Sequence, residues 1–588
     1  MTYKDLPKFL EALEQKGLLN TIEIEVDPEL EITEIADRVS KHYGKALKFT
    51  KVKGSSYPLV INTMGTYERL NMGLGVKNLD EIAAQIEDYM NLSAYVTMKG
   101  KIKAIPKLAP LPFIFPRKVK KAPCQEILEN PDLNSLPIIK CWPQDGGKYI
   151  TLPLVFTKDP ENGQQNVGMY RLQVYDEKTT GMHWHLHKDG KEIYEKYKKL
   201  GKKMPVAVAI GCDPATVYAA TAPLPKMIDE MIFAGYLKRK PIELVKCILS
   251  DLYVPAHAEF ILEGYVDLDE LRLEGPFGDH TGYYSLSDMY PVFHIELITR
   301  KKNPIYPTTI VGKPPMEDCY LGKATERIFL PLIKIQCPEI IDMDFPLEGV
   351  FHNCAIVSIK KAFPLHGNKV LYALWGLGQM MYTKMIIIVD ETVNVHDYNL
   401  VLAAIGDNVS SESHLVLSEG PLDALDHASN RAFQGFRLGI DATTKFATET
   451  QGMPRPIDLT ASVISFAKPW LKENGKTNGN EFSSKKALDL LNEISEDISK
   501  PNWVVLVDEW IDKTSLSTVS WKIFNNIDPK RDIIIKTRQD GSLFVGIDAT
   551  KKGPEDGLMR PWPDDIEMSP SIVEKVSKRW ADYGIDLD

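Results

Sequence analysis

At 588 residues, 44 % hydrophobic and 26 % charged, the chain has the make-up of a folded protein of several domains, not of a disordered or collagen-like one. Lys and Arg number 70 against 80 Asp and Glu, a net charge of −10, and no basic face declares itself, so nucleic acid is set aside as a partner. Nowhere do 18 apolar residues run together, the seven cysteines are scattered without a CxxC pair, and the start shows no signal-peptide pattern; a cytoplasmic protein with reduced thiols is expected.

The first helix announces itself by Asp5 as cap, Pro7 in the first turn, Leu6, Phe9, Leu10 and Leu13 on one face and Gly17 as stop. Leu30–Ser40 and Leu79–Met90 also read as helices, and Ala46–Val52 and Pro58–Thr63 as strands, which makes residues 1–115 an α/β domain. Pro106 to Pro123, basic and proline-bearing, reads as a linker. From there to about 312 short β-branched runs broken by Gly, Pro and Asp predict a barrel or sandwich, interrupted by one helix near Ile228–Leu237.

Residues 313–588 return to alternating helix and strand, and they carry a repeat. Met385–Glu391 is echoed by Trp503–Glu509, and Gly439-Ile440-Asp441-Ala442-Thr443 recurs letter for letter as Gly546–Thr550. The later copy, about 500–556, is shorter inside the repeat, and a tandem duplication of a βαβ module is the reading. Asn474–Ser484, rich in Asn, Gly, Ser and Lys, reads as a loop joining the copies, and Ser569–Tyr583 as a closing helix.

Three segments carry candidate chemistry. In Gly181–His187 three histidines alternate, so on a strand His183, His185 and His187 either converge on a metal or simply line one face. In Asn166–Arg171 an amide, a glycine and a guanidinium lie close together; Asn166 suits a hard cation and Arg171 a carboxylate, or the arginine is a surface charge. In Glu274–Tyr284 two carboxylates, Glu274 and Asp279, sit on a Gly/Pro-rich turn, which is either an acid/base pair or a bland turn.

Taken together, these segments resemble the UbiD family of prenylated-flavin-dependent decarboxylases, in particular its 3-polyprenyl-4-hydroxybenzoate branch. The likeness runs through Lys51–Ser56 and Gly65–Arg69, Lys140–Gly147 and Asn166–Arg171, Phe233–Gly235, Val245–Cys247, the run Glu274-Gly275-Pro276-Phe277-Gly278-Asp279-His280-Thr281-Gly282-Tyr283-Tyr284, Ile359–Lys361, Tyr382–Lys384 and Gly439–Thr443. The resemblance implies an α/β domain, a central split β-barrel of the flavin-reductase kind over 116–312, and a C-terminal α/β domain holding the duplicated module. It implies prenylated FMN tied through its phosphate to Mn²⁺, another divalent ion or K⁺ being the alternatives, with Asn166, His187 and Glu230 as ligands. Met169, Tyr170, Arg171, His183, Trp184, His185, Lys188, Asp189 and Lys384 fall on cofactor-contact positions. Arg171, Glu274 and Asp279 fall on the catalytic network, with Asp279 as proton donor.

The expected reaction is the non-oxidative decarboxylation of an aromatic acid, a 4-hydroxy-3-polyprenylbenzoate-like phenolic acid in quinone biosynthesis, with a menaquinone-pathway naphthoate as competitor. A split-barrel flavin oxidoreductase and a non-catalytic carboxylase subunit are the other classes; no Gly-x-Gly-x-x-Gly strand–turn–helix supports the former. A flavin prenyltransferase would supply the cofactor, and a homo-oligomer, dimer or hexamer, is expected. A polyprenylated substrate would require access to lipid, hence peripheral membrane contact. The second module copy puts Asn502 where Lys384 stands and lacks a counterpart of Pro421–Asp426, so it is expected to have no active site of its own and to be removable, over about 460–560, without loss of cofactor binding.

Overall fold

The structure, a computed structural model, describes residues 2–90, 114–184, 189–224, 228–450, 452–468 and 486–587. It divides into two units, one running to Ile328 and joined by the chain from Asp564 onward, the other Phe329–Pro563. The expected loop 474–484 and residues 106–113 of the expected linker lie outside the described residues. No described helix is long and apolar enough to cross a membrane, and all seven cysteines are free and buried.

In the first unit the opening helix, Leu6–Gln15, forms as its sequence dictates: Asp5 accepts from the Lys8 N–H, and Leu6, Phe9, Leu10 and Leu13 are buried. A four-stranded sheet follows, in the order Leu19–Val26, Ala46–Val52, Leu59–Ile61, Tyr306–Pro307. Its last strand is contributed from beyond the middle region. The closing helix, Pro570–Arg579, also belongs here: Lys575 and Arg579 pair with the buried Glu31, and Tyr583 donates to the same carboxylate at 2.7 Å.

The middle region is an antiparallel sheet in the order Thr179–Gly181, Asp288–Arg300, Phe260–Glu274, Met204–Ile210, Leu154–Lys158, Gln165–Met169. Among the described residues the sheet has two ends and does not close into a barrel. Its spine is the long hairpin Phe260–Glu274 with Asp288–Arg300, broken by register shifts at Glu263/Gly264 and between Val266 and Leu271. A Cβ at Gly264 would run into the His294 carbonyl, which is why the first bulge takes glycine. The far end of this hairpin is what delivers Glu274 to the site.

The second unit holds both module copies. The first gives a sheet in the order Ile340–Asp344, Cys354–Ile359, Met385–Asp390, Gln434–Asp441, Leu415–Pro421; the second gives Val463–Phe466, Trp503–Asp508, Leu543–Asp548, Ile533–Thr537. In each, parallel strands end in a hairpin edge, with Met385 opposite Leu438 and Trp503 opposite Val545. One hydrophobic cluster takes Ile356, Ile387 and Val389 from the first copy and Val505, Val507 and Val545 from the second. The copies therefore share a core, and removal of the second would strip one wall from it.

Candidate active site

Arg171 stands between the strands Gln165–Met169 and Leu172–Gln173, Glu274 closes the strand Phe260–Glu274, and Asp279 stands in the turn between Phe277–Gly278 and Tyr284–Ser285. The fold brings the three together. Arg171 Nε donates to Glu274 Oε1 at 2.9 Å and Nη2 to Glu274 Oε2 at 3.1 Å, a two-bond fork, while Nη1 is paired with Asp279 Oδ2. Nη2 also donates to Ser285 Oγ at 3.1 Å, and the guanidinium lies over the Phe277 ring, 4.5 Å from its centre. Glu274 is fully buried, and Asp279 is 8 % exposed.

These contacts decide the charge states. Burial pushes the Glu274 carboxyl up, but the Arg171 charge and the His183 hydrogen bond override it and hold the pKa at about 2. At Asp279 burial again opposes ionisation, and Arg171 with His280 takes the carboxyl far below the usual carboxylate range. Burial disfavours charge on Arg171, and Glu274 and Asp279 more than restore it. The site is thus one fixed cation between two carboxylates.

His183 joins this network instead of lying free along a strand. Its Nδ1 shares a hydrogen bond with Glu274 Oε2 at 3.0 Å, and its ring stacks on Tyr290 with centroids 4.3 Å apart. Burial lowers its pKa and Arg171 lowers it further, against the pull of Glu274. Gly181, two residues earlier, leaves the room: a Cβ there would come within 2.7 Å of the Tyr175 hydroxyl and 3.3 Å of Glu274 Cγ.

The expected metal ligands stand one strand position from a shared contact. Glu230 opens the helix Glu230–Lys238, capped by Asp229, and its Oε2 accepts from the Val167 N–H at 3.2 Å, next to Asn166. The Asn166 amide nitrogen is buried without a hydrogen-bond partner. A half-turn of that amide would present its oxygen instead, so a buried, unspent amide beside a carboxylate fits a hard divalent ion. His185, His187 and Lys188 lie outside the described residues; Asp189 begins the helix Asp189–Leu200, and its side chain is likewise outside them.

Trp184 Nε1 is buried without a partner, and Gly190 faces it closely enough that a Cβ would come within 2.7 Å. Tyr170 folds over Gly168, whose missing Cβ leaves 2.5 Å to the phenol ring, and Met169 is half-buried at the strand's end. A flat, polar-edged cofactor fits this set. Lys384 lies in the other unit, where its ammonium pairs with Asp426 at 2.5 Å and donates to the Asn525 carbonyl at 3.3 Å.

Other functional neighbours escape a reading of the sequence. Ser285 and Tyr290 lie just past the quoted run and carry no motif. Asp145 accepts from the Trp142 N–H and the Gly278 N–H, both at 2.8 Å, and so ties down the residue before Asp279. Burial raises its pKa to about 7. Its signal was available, since it stands within the quoted Lys140–Gly147 stretch.

Three family models match the chain: the N-terminal domain of 3-octaprenyl-4-hydroxybenzoate carboxy-lyase over residues 10–87, its Rift-related domain over 117–314, and its C-terminal domain over 319–442 and 474–544. The chain belongs to the UbiD family. An uncharacterized protein of Archaeoglobus fulgidus is 49 % identical over 451 residues, 76 % of this chain and 93 % of its own. Among solved structures, the vanillic acid decarboxylase of Sedimentibacter hydroxybenzoicus in its closed form is similar with a TM-score of 0.67 and 29 % identity, covering 81 % of this chain and 100 % of that one. An evolved dimeric form of the UbiD-class enzyme HmfF of Pelotomaculum thermopropionicum, in complex with prenylated FMN, is similar with a TM-score of 0.64 and 26 % identity, covering 77 % and 97 %.

Proposed function

We propose that the chain is a non-oxidative carboxy-lyase of an aromatic acid, with prenylated FMN as cofactor and a phenolic, 4-hydroxy-3-polyprenylbenzoate-like acid as substrate. The observation that carries this reading is the Arg171 fork between Glu274 and Asp279, because it sets a carboxylate-binding cation beside a buried carboxyl group able to carry a proton. The vanillic acid decarboxylase and the prenylated-FMN complex among the similar structures support the reaction and the cofactor. The division into three domains near 115 and 312, the description of the central sheet as a split barrel, and a cytoplasmic location belong to the same proposal.

Asn166 and Glu230, with His187, would hold a divalent ion such as Mn²⁺ against the cofactor phosphate, and Trp184, Tyr170 and Met169 would line the flavin. When bound, the prenylated flavin supplies the electron sink that loss of CO₂ from an sp² carbon requires. The chain does the rest. Arg171 orients the substrate carboxylate, Glu274 and His183 hold the guanidinium in place, the buried site excludes water, and Asp279 delivers a proton to the ring carbon.

The test is co-expression with a flavin prenyltransferase, followed by the mass and spectrum of the bound chromophore and an assay of CO₂ release from hydroxyarene acids. Asp279→Asn is expected to lower turnover by roughly 10²–10⁴-fold with the cofactor retained. An unmodified flavin with hydride-transfer activity would overturn the reading.

A further inference from the structure

Decarboxylation consumes one proton per turnover: the bond from the ring carbon to the carboxylate breaks, its electron pair ends in a new C–H bond, and CO₂ leaves. In the resting site Asp279 does not hold that proton, because its Oδ2 is paired with the Arg171 guanidinium. Its other oxygen has different company. Oδ1 accepts from the His280 backbone N–H at 2.8 Å and lies 3.0 Å from the Nδ1 of the same residue. An ionised carboxylate only accepts, so the Nδ1 that faces it carries a proton. One oxygen is thus held by a fixed charge, and the other faces a proton that can move.

The other groups of the site are engaged elsewhere. Glu274 is bonded twice by Arg171 and once by His183, and Asp145 spends one oxygen on each of two backbone N–H groups. Arg171 bonds Asp279 but keeps its protons at any ordinary pH. His280 is also where water reaches this network: its side chain is 21 % exposed, against 9 % for Arg171 and none for Glu274. The turn that carries it is fixed through its backbone. The Asp279 N–H donates to the Tyr283 carbonyl at 3.1 Å, the Gly282 N–H to the Asp279 carbonyl at 3.0 Å, and the Ile566 N–H to the Gly282 carbonyl at 2.9 Å. A change of partners at Asp279 therefore needs only side-chain movement, with the imidazole kept beside Oδ1.

We infer that His280 is a positioning residue that loads Asp279 with its proton once a substrate carboxylate has displaced Asp279 from Arg171. The incoming carboxylate takes up Nη1, and Asp279, left buried without its cation, accepts the Nδ1 proton of His280 at Oδ1. Asp279 gives that proton to the ring carbon as CO₂ leaves, and its carboxylate returns to Nη1. The imidazole takes the next proton from water, one for each turnover. The inference rests on the decarboxylase reading above and concerns how the acid of that reaction is loaded.

The test compares wild type, His280→Asn and His280→Ala, all loaded with cofactor. Asparagine offers an N–H donor near the place of Nδ1 but no proton to hand over. His280→Asn is therefore expected to lower kcat by roughly 100-fold at nearly constant KM and to raise the solvent deuterium isotope effect. In His280→Ala, added imidazole should restore part of kcat and saturate, since the ring's place is open to water. Without cofactor, the ring ¹⁵N resonances of His280, assigned by their loss in His280→Ala, should show a protonated Nδ1 in the wild type. A wild-type kcat in His280→Asn, a raised KM at unchanged kcat, no gain from imidazole in His280→Ala, or a bare Nδ1 in the resting protein overturns the loading step and leaves the decarboxylase reading standing. Should either variant fail to hold the cofactor, the wild-type ¹⁵N spectrum decides by itself. Absence of CO₂ release by the loaded wild type from every arene acid overturns the loading step and the decarboxylase reading together.

Discussion

The two module copies of the second unit keep the same polar cage and differ in the charges they bury beside it. In the first copy Lys361 donates to the Thr444 carbonyl at 2.9 Å and pairs with Glu449, Lys445 donates to the Asp441 carbonyl at 2.7 Å, and Asn408 donates to the Ala442 carbonyl at 3.1 Å. In the second, Lys468 donates to the Lys551 carbonyl at 2.9 Å and pairs with Asp556, Lys552 donates to the Asp548 carbonyl at 2.7 Å, and Asn526 donates to the Ala549 carbonyl at 3.0 Å. Each contact satisfies a backbone carbonyl where a parallel strand ends. These residues are therefore what the module needs to fold. What the first copy has alone is Lys384 with Asp426; the second places Asn502 there, and its amide oxygen accepts from Arg538 at 3.0 Å. The second also buries a further lysine, Lys522, where the first has Ala404.

Four experiments would break or sharpen this comparison. The largest effect is expected from deleting 460–560: with its wall of the shared core gone, the second unit should lose cooperative unfolding altogether, and a soluble product with a sharp melt would show the copies to be independent. Next is Lys384→Ala, which strands the buried Asp426 carboxylate and should cost about 3–5 kcal/mol in urea denaturation.

Third, the copies should respond to acid in opposite directions. At Asp426 burial raises the pKa, but Lys384 overrides it and holds it at about 2. Its stabilisation, about 2 kcal/mol, is present above pH 4 and is lost as pH falls through 2. Asp508 is raised to about 6 by burial, against Lys522, so the folded state keeps a proton that the unfolded chain has released. Stability there is highest below pH 4 and falls by about 3 kcal/mol as pH rises through 6. Hydrogen exchange of peptides from Met385–Asp390 and Trp503–Asp508 across this range would separate the two trends. Smallest is Asn502→Ala, expected to cost about 1 kcal/mol, because Arg538 keeps its bonds to the carbonyls of Ile494, Ser495, Lys500 and Pro501.

Much of this was legible in the sequence where a local rule operates. The first helix follows from Asp5 and its apolar face, and the duplication follows from repeated letters. Long-range pairing was less so. Arg171, Glu274 and Asp279 could be nominated as residue types, but the fork between Arg171 and Glu274 exists only because a bulged hairpin carries one strand end to another. The bond of His183 to Glu274 was hidden too, since alternation along a strand says nothing of what stands opposite. The shared core of the two copies was hidden because both faces of a buried parallel strand read as apolar, whatever covers them.

The grip of Arg171 on Asp279 has a consequence for how the site is entered and left. On the role proposed for Arg171, a substrate carboxylate that takes up Nη1 must first evict a resident one tethered a few ångströms away, at an effective concentration no free anion matches. The pocket thus carries its own competitive inhibitor, and stray carboxylates with no further contacts are turned away. Once the substrate has lost its carboxylate it has nothing left to hold the guanidinium, and Asp279 reclaims its place. Product departure is then driven from within the chain.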